Sequence, residues 1–454
     1  MSVSGFLKPE MIEIGLWMKP LVCLKMQEKN TLHPFTKLFI KKKMKNTTYE
    51  VKKSEALLKK AKEVIPGGIF GHYKYAVRDT GPKFFSRAEG AYFWDVDDNK
   101  YIDLMCAYGP SILGYKHPEI EEAANSQDSD GNTVSLASPV MVDLATALVD
   151  MVDAADWALF GKNGGDSTSL AVMVARQATG KEKIVKIQDG YHGVSPWMQG
   201  KGRPGIIDSD DNQVITVEWN DLESFEKVLN EKSNEIACFI SSPYDHPASK
   251  DNTLPEDGYW QGISNLCKKH NVILIIDDVR AGFRINLSGS NVAYGFTPDL
   301  ICFGKAIANG HPLSALVGIN EMKDAAEKVY FTGTQFFSAS PMAAAIATLK
   351  ELKKIDAANK MTDYGERLNQ SLVKVAKESG YDLVASGVPA MPYYRLDNVD
   401  MRTHFKWIDE CVRRGVYMLG YHNHFVSTCH TDQDLDAISN IARQAFEVLE
   451  ENTQ

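Results

Sequence analysis

Two charged residues stand where buried strands are expected to end. The run Val272-Ile273-Leu274-Ile275-Ile276 reads as a buried strand that stops at Asp277. Leu300-Ile301-Cys302-Phe303 reads as a second, followed by Gly304 and Lys305. In open α/β sheets, ligands bind in the crevice outside the carboxyl ends of the strands. An acid and an amine at two such ends suit a planar group with a basic ring nitrogen and an aldehyde. Taken alone, the pair reads equally well as a salt bridge at a sheet edge.

A second feature points the same way. Phe160-Gly161-Lys162-Asn163-Gly164-Gly165-Asp166-Ser167-Thr168 joins a short strand to a helix. Adjacent glycines let backbone N–H groups approach an anion, and a helix N-terminus adds its dipole and unpaired donors, so the loop reads as a phosphate cradle. No Gly-Lys-Ser/Thr follows at P-loop spacing, and a plain turn with an N-cap has the same outline. Gly190-Tyr191-His192-Gly193 follows another strand, and an aromatic ring there can stack on a planar ligand. Arg280 and Arg284 lie just past Asp277; either could touch a substrate carboxylate, with a structural role in the following loop as the favoured reading. Among the 11 histidines there is no His-Glu-x-x-His. His422 and His424 would share one face of a strand over 421–426, which favours a hydrogen-bonding role over a metal site.

The elements that must position these groups alternate along the chain. Helical patterns over 140–151, 167–179, 222–229 and 259–269 separate short apolar runs at 157–160, 183–187, 237–240, 272–276 and 300–303. Near-continuous apolar strands between helices predict an α/β fold with a parallel sheet and crossover connections. Upstream, 54–64 reads as an amphipathic helix with Ser54 as N-cap, and 91–96 with 101–104 as a hairpin around Asp97-Asp98-Asn99. Beyond Pro341, helix formers dominate, with strands near 392–396 and 421–426.

Composition removes other classes. The chain has 454 residues, 44% hydrophobic and 24% charged, with net charge −9. No run reaches the ~18 apolar residues of a membrane-spanning helix, so no membrane partner is expected. Residues 1–45 carry nine Lys and three Glu, leaving an acidic body, so no nucleic acid is expected either. That head lacks a signal-peptide plan; it reads as a disordered or untranslated extension, with Met44 as a natural alternative start. The 7 cysteines are scattered without a C-x-x-C pair, which suits a reducing, cytoplasmic setting.

Together these stretches, with Pro66-Gly67-Gly68, Gly90-Ala91-Tyr92-Phe93-Trp94-Asp95-Val96-Asp97, Tyr108-Gly109-Pro110, Leu113-Gly114-Tyr115-Lys116-His117-Pro118 and His430-Thr431-Asp432, resemble the class III (subgroup II) aminotransferases. The branch is the one near glutamate-1-semialdehyde 2,1-aminomutase, and the likeness covers roughly 54–445. It implies pyridoxal 5′-phosphate (PLP) on a fold-type-I scaffold: a large domain with a mainly parallel sheet flanked by helices, plus a smaller α+β domain. The implied division is 46–115 for an N-terminal segment of the small domain, 116–345 for the PLP-binding domain and 346–454 for the C-terminal small domain.

The resemblance also implies roles. Lys305 binds the cofactor covalently and later moves the proton between Cα and C4′. Asp277 pairs with the pyridine nitrogen. Val279 and Tyr191 cover the ring faces, with His192 beside them, and Gly164, Gly165 and Asp166 hold the phosphate through backbone N–H groups. Thr334 matches a threonine that reaches the neighbouring subunit's phosphate, so a homodimer is implied. No metal is implied.

Three departures from the pattern bear on substrate. Lys74 stands where the mutase pattern has a carboxylate-handling Arg, Ser242 where the family has an acid before Pro243, and Asp278 where it has Glu. The expected activity is transfer from L-glutamate to an aldehyde or ketone, with a sugar aldehyde such as the 8-oxo form of 3-deoxy-D-manno-octulosonate (Kdo), a lipopolysaccharide sugar, as acceptor. The alternatives are intramolecular 2,1-amino transfer on glutamate 1-semialdehyde, and a silent PLP-binding regulatory subunit.

Overall fold

The computed structural model describes residues 48–76, 80–200 and 202–451. The basic head at 1–45 lies outside the described residues. Three sheets organise the rest. The largest has seven strands in the order β4-β10-β9-β8-β7-β5-β6. These are β4 (Trp157–Gly161), β5 (Lys183–Ile187), β6 (Val214–Val217), β7 (Ile236–Ser241), β8 (Ile273–Asp277), β9 (Leu300–Phe303) and β10 (Ser314–Gly318). The runs β6-β5-β7-β8-β9 are parallel, as crossover helices require. Only β10 is antiparallel, to both β9 and β4. Strands β7, β8, β9 and β10 are buried at every residue, which is why they read as apolar runs rather than alternating ones.

A four-stranded sheet joins the hairpin strands β1 (Phe85–Glu89), β2 (Tyr92–Asp95) and β3 (Lys100–Asp103) to the late β13 (Val416–Tyr417). The antiparallel pair β11 (Asp382–Ser386) and β12 (Tyr393–Asp397) forms the third sheet. The core cluster under these sheets runs from Tyr101 through the helices Ala339–Lys354 and Ala357–Glu378 to Phe446 in Asp432–Glu451. Among the described residues no helix is long and apolar enough to cross a membrane. Five of the six described cysteines are buried.

Several sequence expectations shift. The first helix is Lys52–Val64, so Ser54 is a buried residue inside it rather than its N-cap. The cap comes from far along the chain: Asp97 accepts from the Lys53 and Ser54 N–H groups at 2.6 and 2.9 Å. Strands β6 and β10 add to the runs expected from the sequence; both are short, though Val214-Ile215-Thr216-Val217 is β-branched throughout. Residues 421–426 are irregular, not a strand, so the shared-face reading of His422 and His424 fails. The ring of His424 packs on Tyr394 in the core, with centroids 5.0 Å apart, whereas His422 lines a cavity.

Candidate active site

The chemistry-bearing residues converge at the carboxyl ends of β8 and β9. Asp277 is the last residue of β8. One of its carboxylate oxygens meets His192 Nδ1 at 2.8 Å and the other accepts from the Val279 N–H at 3.1 Å. His192 is itself held: its carbonyl accepts from the Thr168 hydroxyl at 2.6 Å. Lys305 follows Gly304 directly after β9 and adopts φ +44°, a left-handed conformation that a lysine takes only under local constraint. Burial, seconded by the Arg280 cation, pushes its amine down to about 7, against the opposing pull of Asp277.

The glycine loop is more helical than expected. The helix begins at Gly164 and runs to Thr179, so both glycines belong to its first turn, whose N–H groups have no acceptor within the helix. Asp166 shapes the loop with its side chain: Oδ2 accepts from the Lys162 and Asn163 N–H groups at 2.9 and 2.7 Å. Its own N–H donates to the Asn163 carbonyl at 2.9 Å, so Gly164 and Gly165 are left as the open donors of the cradle. A Cβ on Gly164 would sit 2.6 Å from Val279 Cγ1, which shows how closely the loop presses on the side chain beyond Asp277.

Two cavities meet at Lys305. One, about 910 Å³, is lined by Gly164, Gly165, Asp166, Tyr191, His192, Asp277 and Val279. The other, about 420 Å³, is lined by Tyr108, Arg203, Trp219, Asp245 and His422 among others. Seven residues border both, including Lys305, Arg280, His246 and Ser242. Burial raises Asp245 to about 6. Thr334 opens an exposed turn and lines neither cavity.

The three departures separate. Ser242 borders both cavities. Lys74 is exposed on a short helix and lines neither; its neighbour His72 does, within 4.5 Å of the Tyr108 ring. Asp278 faces away: its carboxylate accepts from the Ser290 N–H and hydroxyl at 2.9 and 2.6 Å, so the missing methylene concerns packing rather than substrate. Arg284 is structural, as expected, donating to the Val426 and Gly109 carbonyls at 2.5 and 2.6 Å in the core. Arg280 departs from that expectation, because it borders both cavities. Sequence reasoning also missed Lys162, whose buried Nζ has no partner and lies against the larger cavity. Its position beside two glycines was the available signal. His246 carried none, being brought in from a distant loop, whereas His422, read from the sequence as a hydrogen-bonding residue, lines the smaller cavity.

Comparison with known proteins agrees with this architecture. The family described as Aminotransferase class-III matches residues 75–446. An aminopentol aminotransferase of Sphingopyxis macrogoltabida is 39% identical over 395 residues, spanning 87% of this chain and 93% of that protein. A glutamate-1-semialdehyde 2,1-aminomutase of Desulforamulus reducens is 30% identical over 423 residues, spanning 87% and 97%. The FumI protein of Sphingopyxis sp. MTA144, solved in its PLP internal aldimine form, superposes with TM-score 0.86 at 38% identity, covering 88% of this chain and 97% of that one.

Proposed function

The chain belongs to the class-III aminotransferases, PLP-dependent enzymes of fold type I, and from that premise we propose that it transfers the amino group of L-glutamate to a hydroxylated aldehyde or ketone. The observation that carries the reading is the position of Lys305. It stands between a cavity suited to the cofactor and a smaller one lined by hydroxyl, imidazole and indole groups together with Asp189, Asp245, Arg203 and Arg280.

The residues suit PLP. Gly164 and Gly165 offer open N–H groups, and the unpartnered Lys162 amine offers a cation, to a phosphate. Asp277 ends β8 beside the same cavity, with Val279 and Tyr191 on its walls. When bound, PLP supplies the aldehyde that accepts the amino group and a ring that takes up the electron pair released at the substrate Cα. Asp277 holds the proton on the ring nitrogen, and His192 keeps that carboxylate oriented. Lys305, its amine pushed down to about 7 and so available in neutral form at ordinary pH, would remove the proton from Cα and return it at C4′. Thr334, exposed and lining neither of its own subunit's cavities, fits a contact with the phosphate of a second copy, which favours a homodimer as the working unit.

Ser242 removes the family's negative charge from the wall both cavities share, and a relative acts on an aminopentol. Both favour a polyhydroxylated partner, with the 8-oxo form of Kdo, in lipopolysaccharide sugar synthesis, as the first compound to try. The test is the visible spectrum of the holoenzyme before and after L-glutamate, with 2-oxoglutarate assayed. Loss of the bound-cofactor band with stoichiometric 2-oxoglutarate supports transfer. A holoenzyme inert to amino acids but active on glutamate 1-semialdehyde establishes the mutase reading instead.

A further inference from the structure

Arg280 stands apart from the other cations. Its Nη1 donates to His246 Nδ1 and to Asn423 Oδ1, both at 2.9 Å. Because the guanidinium only donates, His246 Nδ1 must be the acceptor, which places the imidazole proton on Nε2. The other edge, Nε and Nη2, carries no hydrogen bond among the described residues, and no carboxylate lies within ion-pair distance. Arg284, four residues on, has both terminal nitrogens bonded to carbonyls and is sealed in the core. Among the seven residues that border both cavities, Arg280 is the only permanent cation, because the Lys305 amine, pushed down to about 7, is charged only in part near neutrality.

A largely buried guanidinium without a counter-ion is costly unless a ligand supplies one. The planar fork matches a carboxylate bidentately. In an α-amino acid the carboxylate is attached to the very carbon whose proton Lys305 must reach, so its binding site must border Lys305. We propose that the open edge of Arg280 holds the α-carboxylate of the amino donor and makes the enzyme select α-amino acids over simple amines. This rests on the aminotransferase reading above. Arg203, which lines the smaller cavity alone, is the competing cation.

The experiment compares wild type, Arg280→Gln, Arg280→Lys and Arg203→Gln holoenzymes in the first half-reaction. L-glutamate and L-alanine are titrated against isopropylamine, which has no carboxylate, and the loss of the cofactor band is followed. Losing a charge-assisted pair should raise the apparent KM for the amino acids by about 10- to 100-fold relative to isopropylamine in Arg280→Gln, with partial rescue in Arg280→Lys. Removing the cation also alters the charge beside Lys305, but that acts on every donor alike and cancels in the ratio. Binding of unreactive succinate, read as the shift in thermal midpoint of the holoenzymes, should weaken in parallel. An unchanged amino acid to amine ratio in both Arg280 variants overturns the proposal, as does the donor-specific loss appearing in Arg203→Gln instead. If wild type reacts with no amino acid at all, the function itself is misread; if it reacts but the ratio does not move, only the assignment of Arg280 falls.

Discussion

Asp277 and His192 form a buried pair, with carboxylate oxygen and Nδ1 2.8 Å apart although the residues come from the ends of different strands. The second carboxylate oxygen accepts from the Val279 N–H. Replacing His192 by Leu leaves one side of a buried carboxylate without a donor, at a cost of about 1–3 kcal/mol, and removes the contact that fixes its orientation. A carboxylate turned away from the cofactor ring no longer secures the proton there. His192→Leu is therefore expected to keep PLP bound while slowing the half-reaction by about 10- to 100-fold, and His192→Asn to slow it less. Cofactor content and single-turnover rate, measured side by side, check this; an unslowed His192→Leu refutes it.

The amine of Lys305 is pushed down to about 7 because burial disfavours its charged form and Arg280 repels it. The sign follows: below about pH 7 the amine is protonated and unreactive, and above it the amine is neutral. In cofactor-free protein, the rate at which added pyridoxal is captured covalently should rise with pH up to about 7 and then level off. Pyridoxal rather than PLP keeps phosphate titration out of the profile. A rate still climbing at pH 9–10 would mean an ordinary lysine. Lys305→Ala should capture none while still binding PLP non-covalently.

The parts of this site legible in the sequence are those a single segment carries. Asp277 and Lys305 end apolar runs whose burial is written in their composition, and Gly164-Gly165 opens a helix whose pattern is plain. What the sequence conceals is produced by distance. Asp97 caps a helix 43 residues upstream, and His246, His422 and Asn423 reach the site from loops with no periodicity. The Asp-for-Glu change at 278 looked functional because it adjoins Asp277, yet successive positions at a strand end face opposite ways, and its partner is Ser290. Lys74 misled for a related reason. The short helix Tyr73–Ala76 turns it outward and leaves His72 facing the cavities.

Lys162 offers a separate test of the phosphate end. Burial lowers its amine to about 8, and its Nζ has no hydrogen-bond partner among the described residues. A phosphate arriving beside it would restore the charged form. Between pH 8 and 9, PLP binding to cofactor-free protein should then take up a proton at this site, a feature lost in Lys162→Met. The same variant should weaken PLP by about tenfold or more while leaving pyridoxal, which lacks the phosphate, much less affected. Calorimetry in two buffers of different ionisation enthalpy reads the proton uptake directly. Equal weakening of both ligands would place Lys162 outside phosphate binding.

The contact between Gly164 and Val279 ties the phosphate loop to the ring pocket. An added Cβ at 164 would lie 2.6 and 2.9 Å from the two Val279 methyls, a separation real atoms do not tolerate. Gly164→Ala must therefore displace Val279 or the helix start, an overpacking cost of typically about 1–3 kcal/mol. Because Val279 also approaches Gly304, just before Lys305, the displacement carries to the amine. Gly164→Ala is expected to fold but bind PLP about tenfold more weakly, since about 1.4 kcal/mol corresponds to a factor of ten. Val279→Ala alone should weaken PLP modestly by baring one ring face. The double variant, with room restored for the new methyl, should bind PLP better than Gly164→Ala. A non-additive cycle of that sign, measured by cofactor titration, identifies the steric contact as the cause; strict additivity would mean that Gly164→Ala acts through the loop backbone and not through Val279.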